Sequence, residues 1–129
     1  MFTIQQIEKA HTEVRTGADF PNYIQVIKEL GVVAFETWVV DSHTVYMGDN
    51  GFKTESLPQY ESLVINDECD NEVFGMYLQS HQQGKTDYYQ FCKHCAETGV
   101  EKWIVNLEKM ICSYFDKAGN KVLVEGIPV

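Results

Sequence analysis

The sequence predicts an α+β fold in which two helix–helix–strand–strand–strand units share one mainly antiparallel sheet with helices on one side. Three observations lead to this expectation: segments with helical spacing and cap residues, β-branched and aromatic segments bounded by turn signals, and an internal repeat. Of the 129 residues, 44% are hydrophobic, which is enough for the core of one domain spanning 1–129.

Cap residues mark the starts and ends of the predicted helices. Thr3 and Gln6 form a capping-box pattern before the first helix, whose apolar spacing continues until Gly17. Asp19 is the expected N-cap of the second helix and Gly31 its expected end. The cap candidates in the second half are Asp70 or Asn71, Thr86 or Asp87, and Gly99. The predicted helices span residues 4–16, 20–30, 71–83 and 87–98.

The predicted strands are rich in β-branched and aromatic residues. "VVAFETWVV" is the first of them, and the turn signals "DNG" and "KAGN" separate later ones. The stretch "YESLVI" has the same character and is also predicted to be a strand. The predicted strands are 32–40, 43–48, a strand beginning at Phe52, 60–65, 101–107, 110–116 and 121–127.

An internal repeat appears when the sequence is shifted by 68 positions. Residues 19–53 and 87–121 then share seven identities in 35 positions, where roughly two would arise by chance. The identical positions include an N-cap aspartate, a helix-ending glycine and a turn glycine. The repeat predicts a duplication with halves of about 1–66 and 67–129, related by a pseudo-two-fold axis.

The motif "FCKHC" contains a cysteine pair, Cys92 and Cys95, that suggests zinc binding or redox chemistry. In the repeat these cysteines align with Ile24 and Ile27, on the apolar face of a predicted helix. This alignment favours two buried thiols without metal, since free cysteine packs as a small hydrophobic residue. The metal alternative needs two more ligands, and the redox alternative needs a helix N-terminus. The lone candidates for further ligands are His81, Cys112 and Cys69.

The charge of the chain disfavours several classes of partner. Ten basic against nineteen acidic residues give a net charge of −9, which disfavours nucleic acid and anionic membrane surfaces. The start "MFTIQQIEKAH" resembles an amphipathic helix and not a signal peptide, and no apolar stretch reaches the roughly 18 residues of a membrane span. The four cysteines are therefore expected to be reduced and the protein cytoplasmic.

Several segments carry a family resemblance. "DYYQFCKHCAETGVEKWIVNLEKMICSYFDKAGN" (87–120), "GADFPNYIQVIKELGV" (17–32), "DSHTVYMG" (41–48) and "HQQGKTDY" (81–88) resemble domain-of-unknown-function family 1398. This YdfO-like family comprises bacterial and prophage proteins that are often labelled phage envelope protein. The resemblance implies a compact α+β fold, and it brings no enzyme activity, cofactor or catalytic residue with it.

Two neighbouring stretches hold the candidate site residues. Asp41 and His43 flank a predicted turn after a strand, where His43 would act as a general base oriented by Asp41, with Tyr46 nearby. The alternative is a turn-forming aspartate followed by a surface histidine. Glu36 and Trp38 share one face of the preceding strand, where they would line a groove for a ligand or partner. They would otherwise pack at a rim or cover the far side of the sheet.

The sequence leaves two classes of function open. The favoured class is a non-catalytic cytosolic, phage- or prophage-associated protein that acts by contact with a protein partner. Its support is the family resemblance and the lack of any recognised catalytic, phosphate-binding or metal-binding motif. The alternative is a small-molecule binder or enzyme that uses Asp41, His43, Tyr46 and Glu36 in a cleft. No cofactor or metal is expected, and the sequence does not indicate an oligomeric state.

Overall fold

A computed structural model describes residues 1–14 and 19–127. These residues form four α-helices, six strands and a short 3-10 helix at Asp49–Gly51. The helices are α1 (Ile4–His11), α2 (Phe20–Leu30), α3 (Asn71–Gln82) and α4 (Tyr88–Glu97). The strands are β1 (Ala34–Trp38), β2 (Thr44–Met47), β3 (Lys53–Glu55), β4 (Val100–Asn106), β5 (Ile111–Asp116) and β6 (Lys121–Gly126).

The helix starts follow the predicted caps. Thr3 and Asp87 each head a complete capping box, and the Asp70 carboxylate accepts a hydrogen bond from the Val73 amide. Asp19 occupies the N-cap position of α2, although its side chain does not make the cap hydrogen bond. The first helix ends at His11, earlier than predicted, and Gly17 lies outside the described residues.

All six strands form one antiparallel sheet in the order β3-β2-β1-β4-β5-β6. The α+β class with a mainly antiparallel sheet is therefore confirmed. One face of the sheet carries the core side chains, since the register aligns Phe35 with both Tyr46 and Val105, and Trp103 with Tyr114. The ring contacts between described helices and strands fall on this face, where Phe74 meets Tyr114 and Phe91 meets Trp103.

The two halves have the same order of α-helices and strands, and they meet at the β1–β4 pair. Backbone angles also recur at the offset of 68. Positive φ values occur at Gly31 and Gly99, at Ser42 and Met110, and at Gly51 and Gly119. The duplication itself stays a prediction, which superposition of residues 19–53 on residues 87–121 tests.

The strand predicted at 60–65 is wrong, because these residues belong to a connection that crosses from β3 to α3 without a strand partner. Its amides donate to separate elements: Leu63 to the carbonyl of Val40 and Asn66 to that of Ala96. Leu63 and Ile65 contact the core while Val64 is 90% exposed, so the apolar alternation is real. A ladder also needs a neighbouring strand along its length, which this segment lacks. We call residues 56–69 the strap.

Cys92 and Cys95 are both buried in α4, as predicted, and both are free thiols. Burial raises the pKa of the Cys95 thiol well above its usual value, and raises that of Cys92 as well. A neutral, buried thiol suits packing and not thiolate chemistry. Among the residues that the structure describes, no group of three or more His, Cys, Asp or Glu side chains is placed to hold a metal ion.

We expect Cys95→Ala to lower the free energy of unfolding by about 1 kcal/mol or somewhat more, as a small core truncation does. Chemical denaturation would measure this loss. The exposed Lys93 on the same helix provides the control, since Lys93→Ala should have little effect. A chelator should leave the melting temperature of the wild type unchanged, and near-stoichiometric zinc in purified protein would contradict the interpretation.

Candidate functional site

The second face of the sheet, which we call the open face, carries Glu36 and Trp38, and His43 stacks on Trp38. The register places Glu36 opposite Val45 and Ile104, and Trp38 opposite Lys102. This face therefore combines apolar and charged side chains. Trp38 is its largest ring, and the imidazole of His43 stacks on it with ring centroids 6.1 Å apart and planes inclined by 6°.

A tight turn after β1 holds Asp41 and His43 together. The Ser42 amide donates to the Trp38 carbonyl, and the Trp38 amide donates to the His43 carbonyl. Ser42 adopts a left-handed conformation with φ of 62°, and its hydroxyl lies 2.6 Å from the Tyr88 hydroxyl of α4. This bond anchors the turn to α4, which stabilises a conformation that serine rarely adopts.

Asp41 and His43 form a hydrogen-bonded pair. The carboxylate Oδ1 accepts the His43 backbone amide at 2.9 Å and lies 2.5 Å from the imidazole Nδ1. An ionised carboxylate only accepts, so Nδ1 carries a proton in this bond, and in the neutral imidazole Nε2 is then the acceptor. Partial burial opposes ionisation of Asp41, but the hydrogen bonds from His43 outweigh it and lower the pKa of this carboxyl. The pair predicted from the sequence spacing is thus formed.

Lys102 is the functional candidate that the sequence reasoning missed. Its Nζ lies 4.7 Å from the centroid of the Trp38 ring and 5.7 Å from that of Phe115, and 3.4 Å from the Glu36 carboxylate. Cation–π contact and the ion pair place the ammonium between the aromatic rings and Glu36. The missing signal was the cross-strand register, since Trp38 and Lys102 are distant in sequence.

Tyr46 does not join this cluster. It lies on the core face, where its ring contacts Phe35 with centroids 5.6 Å apart. Burial raises the pKa of its hydroxyl. Alternation along β2 places Tyr46 and Val45 on opposite faces, so the site hypothesis that grouped Tyr46 with Glu36 fails on geometry.

A concave surface formed by the described residues lies elsewhere. A cleft of about 660 Å³ opens between the strap, α3 and the end of α4, and it is lined by residues that include Glu68, Cys69, Asp70, Tyr77 and Glu97. None of the five predicted site residues lines this cleft. The cluster around Trp38 therefore lies outside this cleft.

We expect Asp41→Asn to remove an acid-dependent part of the stability. Because the folded-state pKa is lowered, this contribution is full above the ordinary carboxyl pKa of about 4 and is lost as pH falls through the folded-state value. At pH 7 the variant should lose about 1 kcal/mol. Denaturation curves at several pH values would test this, with Asp49→Asn as the control. Equal acid dependence in the Asp41 variant and the wild type would contradict it.

Comparison with known proteins identifies the protein family to which this chain belongs. Residues 8–126 match the family described as protein of unknown function (DUF1398), and the chain belongs to that family. An uncharacterized protein of Mycobacterium tuberculosis and one of Mycobacterium bovis are each 24% identical to it over 97 residues. Those matches cover 74% of this chain and 59% of each relative, so the chain spans less than two thirds of the relatives' length.

Within the described ranges 1–14 and 19–127, no helix has the length and apolar character needed to cross a membrane.

Proposed function

We propose that this chain is a non-catalytic, cytoplasmic protein, associated with phage or prophage, that acts by binding a protein partner through its open face. The observation that carries the proposal is the position of Trp38, His43 and Lys102. They form a layer of stacked rings and one ammonium on a sheet face, away from the cleft. Small-molecule sites are concave and enclose their ligands, whereas a sheet face suits the broad surface of a partner.

The chemistry of the open face specifies the partner's surface. Apolar side chains from β1, β2 and β4 surround the Glu36–Lys102 pair, in which the side chains are only 17% and 23% exposed. Each charge is already paired with the other within the chain, so the partner does not need to supply an opposite charge. A partner with an apolar centre would bury the Trp38 ring, and tryptophans at such positions dominate binding energy.

The cytoplasmic and prophage parts of the proposal depend on different support. All four cysteines are free, which suits a reducing compartment. The chain belongs to the family that the sequence resembles. Because that resemblance implied bacterial and prophage proteins, this membership supports an association with phage or prophage.

A capture experiment with matched variants tests the proposal. The tagged wild type and a Trp38→Ala variant would be incubated with host extract, and bound proteins quantified by mass spectrometry. We expect one bound protein to fall at least tenfold with Trp38→Ala. It should be retained by Met76→Ala, which changes a 67% exposed side chain on α3. Circular dichroism would confirm that the variants fold. The proposal is wrong if the wild type, Trp38→Ala and Met76→Ala bind identical sets of proteins.

The second candidate is a small-molecule binder or enzyme centred on the Asp41–His43 pair. The observation in its favour is their hydrogen bond, which orients the imidazole as a catalytic base would be oriented. Tyr46 has no part in it, and Glu36 is engaged by Lys102. Ligand screening by NMR tests it. Compounds that shift the His43 ring signals in the wild type and bind the His43→Gln variant tenfold more weakly would support it. The absence of any such compound would count against it.

A further inference from the structure

Two pairs of stacked rings join α3 to α4. The Tyr77 ring of α3 stacks on the His94 imidazole of α4, with ring centroids 3.8 Å apart and planes inclined by 8°. The His81 imidazole of α3 stacks on the Phe91 ring of α4, with centroids 4.5 Å apart and planes inclined by 13°. Residues three or four apart on a helix lie on the same face, so both stacks fall along one helix–helix contact. We call these four side chains the ring seam.

The surroundings of the two imidazoles suit their neutral form. The Nδ1 atom of His94 is buried, and the described residues supply no hydrogen-bond partner for it. A neutral imidazole can keep its unprotonated nitrogen at this position, whereas an imidazolium carries an N–H at both nitrogens. Protonation of His94 would therefore bury a donor without an acceptor, which destabilises the contact. His81 differs, because its Nδ1 lies 3.1 Å from the carbonyl oxygen of Thr86 and can donate to it.

The two imidazoles also oppose each other's protonation. Burial lowers the pKa of His81, and a charge on His94 lowers it further. The hydrogen bond with the Thr86 carbonyl and the negative charge of Asp87 raise this pKa but do not cancel the effect of burial. The neutral state of His81 is therefore favoured in the folded chain relative to the unfolded chain, in which histidine has its ordinary pKa.

Charged groups on the neighbouring elements leave this balance in place. The Glu125 carboxylate of β6 faces α3 but already accepts hydrogen bonds from Gln82 and Tyr114. On α4, the Lys93 ammonium lies over an aromatic ring of its own helix. Four carboxylates line the cleft beside Tyr77 and would favour a cation near it, but all four are exposed, where water and salt screen their charge. They are Glu68, Asp70, Glu72 and Glu97.

We propose that the ring seam is an acid-sensitive contact, which holds the C-terminal half of α3 on α4 while both imidazoles are neutral and releases it when both are protonated. A single imidazolium gains attraction to the ring on which it stacks, and this attraction offsets part of the cost of protonation. The second proton adds repulsion between the two imidazoles, so release should require both protons. Because the pKa of His81 is lowered in the folded chain, the contact is complete above the ordinary histidine pKa of about 6.5 and is lost as pH falls through the folded-state value.

Release of the ring seam would change the cleft. Tyr77 belongs both to the seam and to the lining of the cleft, so its movement would alter the shape of the cleft. The first half of α3 should stay docked, since the fully buried Phe74 contacts Tyr114 of β5 and has no titratable group. Trp38 lies on the other face of the sheet, so this inference goes beyond the partner binding proposed for the open face and does not depend on it.

Hydrogen exchange at pH 7.5 and pH 5, corrected for the intrinsic exchange rate at each pH, tests the proposal. In the wild type, the protection of amides 77–82 should fall at least tenfold more between the two pH values than that of the β4 amides. His94→Phe keeps a ring against Tyr77 but cannot take a proton, so this excess loss should shrink below threefold. His11→Gln is the matched control, because burial also lowers the pKa of His11 but its ring contacts Tyr23 of α2. The control should respond as the wild type does.

A second variant and a titration keep the test decisive if His94→Phe fails to fold. His81→Gln should likewise reduce the excess loss below threefold, because it removes the other proton. In an NMR titration of the wild type, the ring signals of His81 and His94 should shift over the same pH range in which the α3 amides lose protection. Equal loss of protection in α3 and β4 of the wild type would overturn the proposal. So would a full wild-type response in either folded variant, or ring signals that shift outside this pH range.

Discussion

Replacing Gly99 with alanine is expected to lower the free energy of unfolding by about 3 kcal/mol. Gly99 ends α4 with φ of 85°, where a side chain costs about 1–2 kcal/mol. An added Cβ would also lie 2.5 Å from the Glu68 carbonyl oxygen and 2.8 Å from the Cys69 Cα. Both are backbone atoms of the strap region, so the connection would have to move, which adds a cost of about 1–3 kcal/mol.

Gly119→Ala separates these two contributions. Gly119 has the same φ of 85°, but a Cβ there meets nothing within 4 Å. We therefore expect Gly119→Ala to cost about 1 kcal/mol, and urea denaturation of both variants would measure the difference. Equal losses in the two variants would show that the strap does not pack tightly against the end of α4.

The substitution Phe74→Ala is expected to cost about 4 kcal/mol, the usual range for a fully buried phenylalanine. The Phe74 side chain is 0% exposed, and its ring contacts Phe91 of α4 and Tyr114 of β5. Removing it leaves a cavity where α3, α4 and the sheet meet, so the loss combines burial and packing.

Met76→Ala on the same helix is the control for Phe74→Ala. Met76 is 67% exposed, so its truncation should change the free energy of unfolding by less than about 0.5 kcal/mol. Urea denaturation monitored by tryptophan fluorescence would report both, because Trp103 lies in the same aromatic cluster as Tyr114. A loss below 1 kcal/mol for Phe74→Ala would contradict the docking of α3 on the sheet.

The candidate site was predictable only in part. The Asp41–His43 pair was predictable because the two residues are separated by one position, and a turn brings such neighbours together without help from the rest of the chain. Trp38 and Glu36 share a face because side chains alternate along a strand. Lys102 was not predictable, since its approach to Trp38 depends on which strands pair and in which register.

The sequence by itself determined the local structure of this protein. Side chains of Thr3, Asp70 and Asp87 bind backbone amides three residues ahead, and each such bond closes within one helical turn. The burial of Cys92 and Cys95 also followed from sequence, because helical spacing places both on the apolar face of α4.

Only the tertiary structure decided which segments became strands and what each face contacts. The 60–65 segment has the alternation of a strand, yet the Leu63 amide binds the turn after β1, and the Asn66 amide that follows the segment binds Ala96 near the end of α4. Tyr46 lies in the core while His43, three residues earlier, stacks on Trp38. The physical reason is that a strand's hydrogen-bond partners and the layer covering each face come from distant parts of the chain, so local pattern cannot specify them.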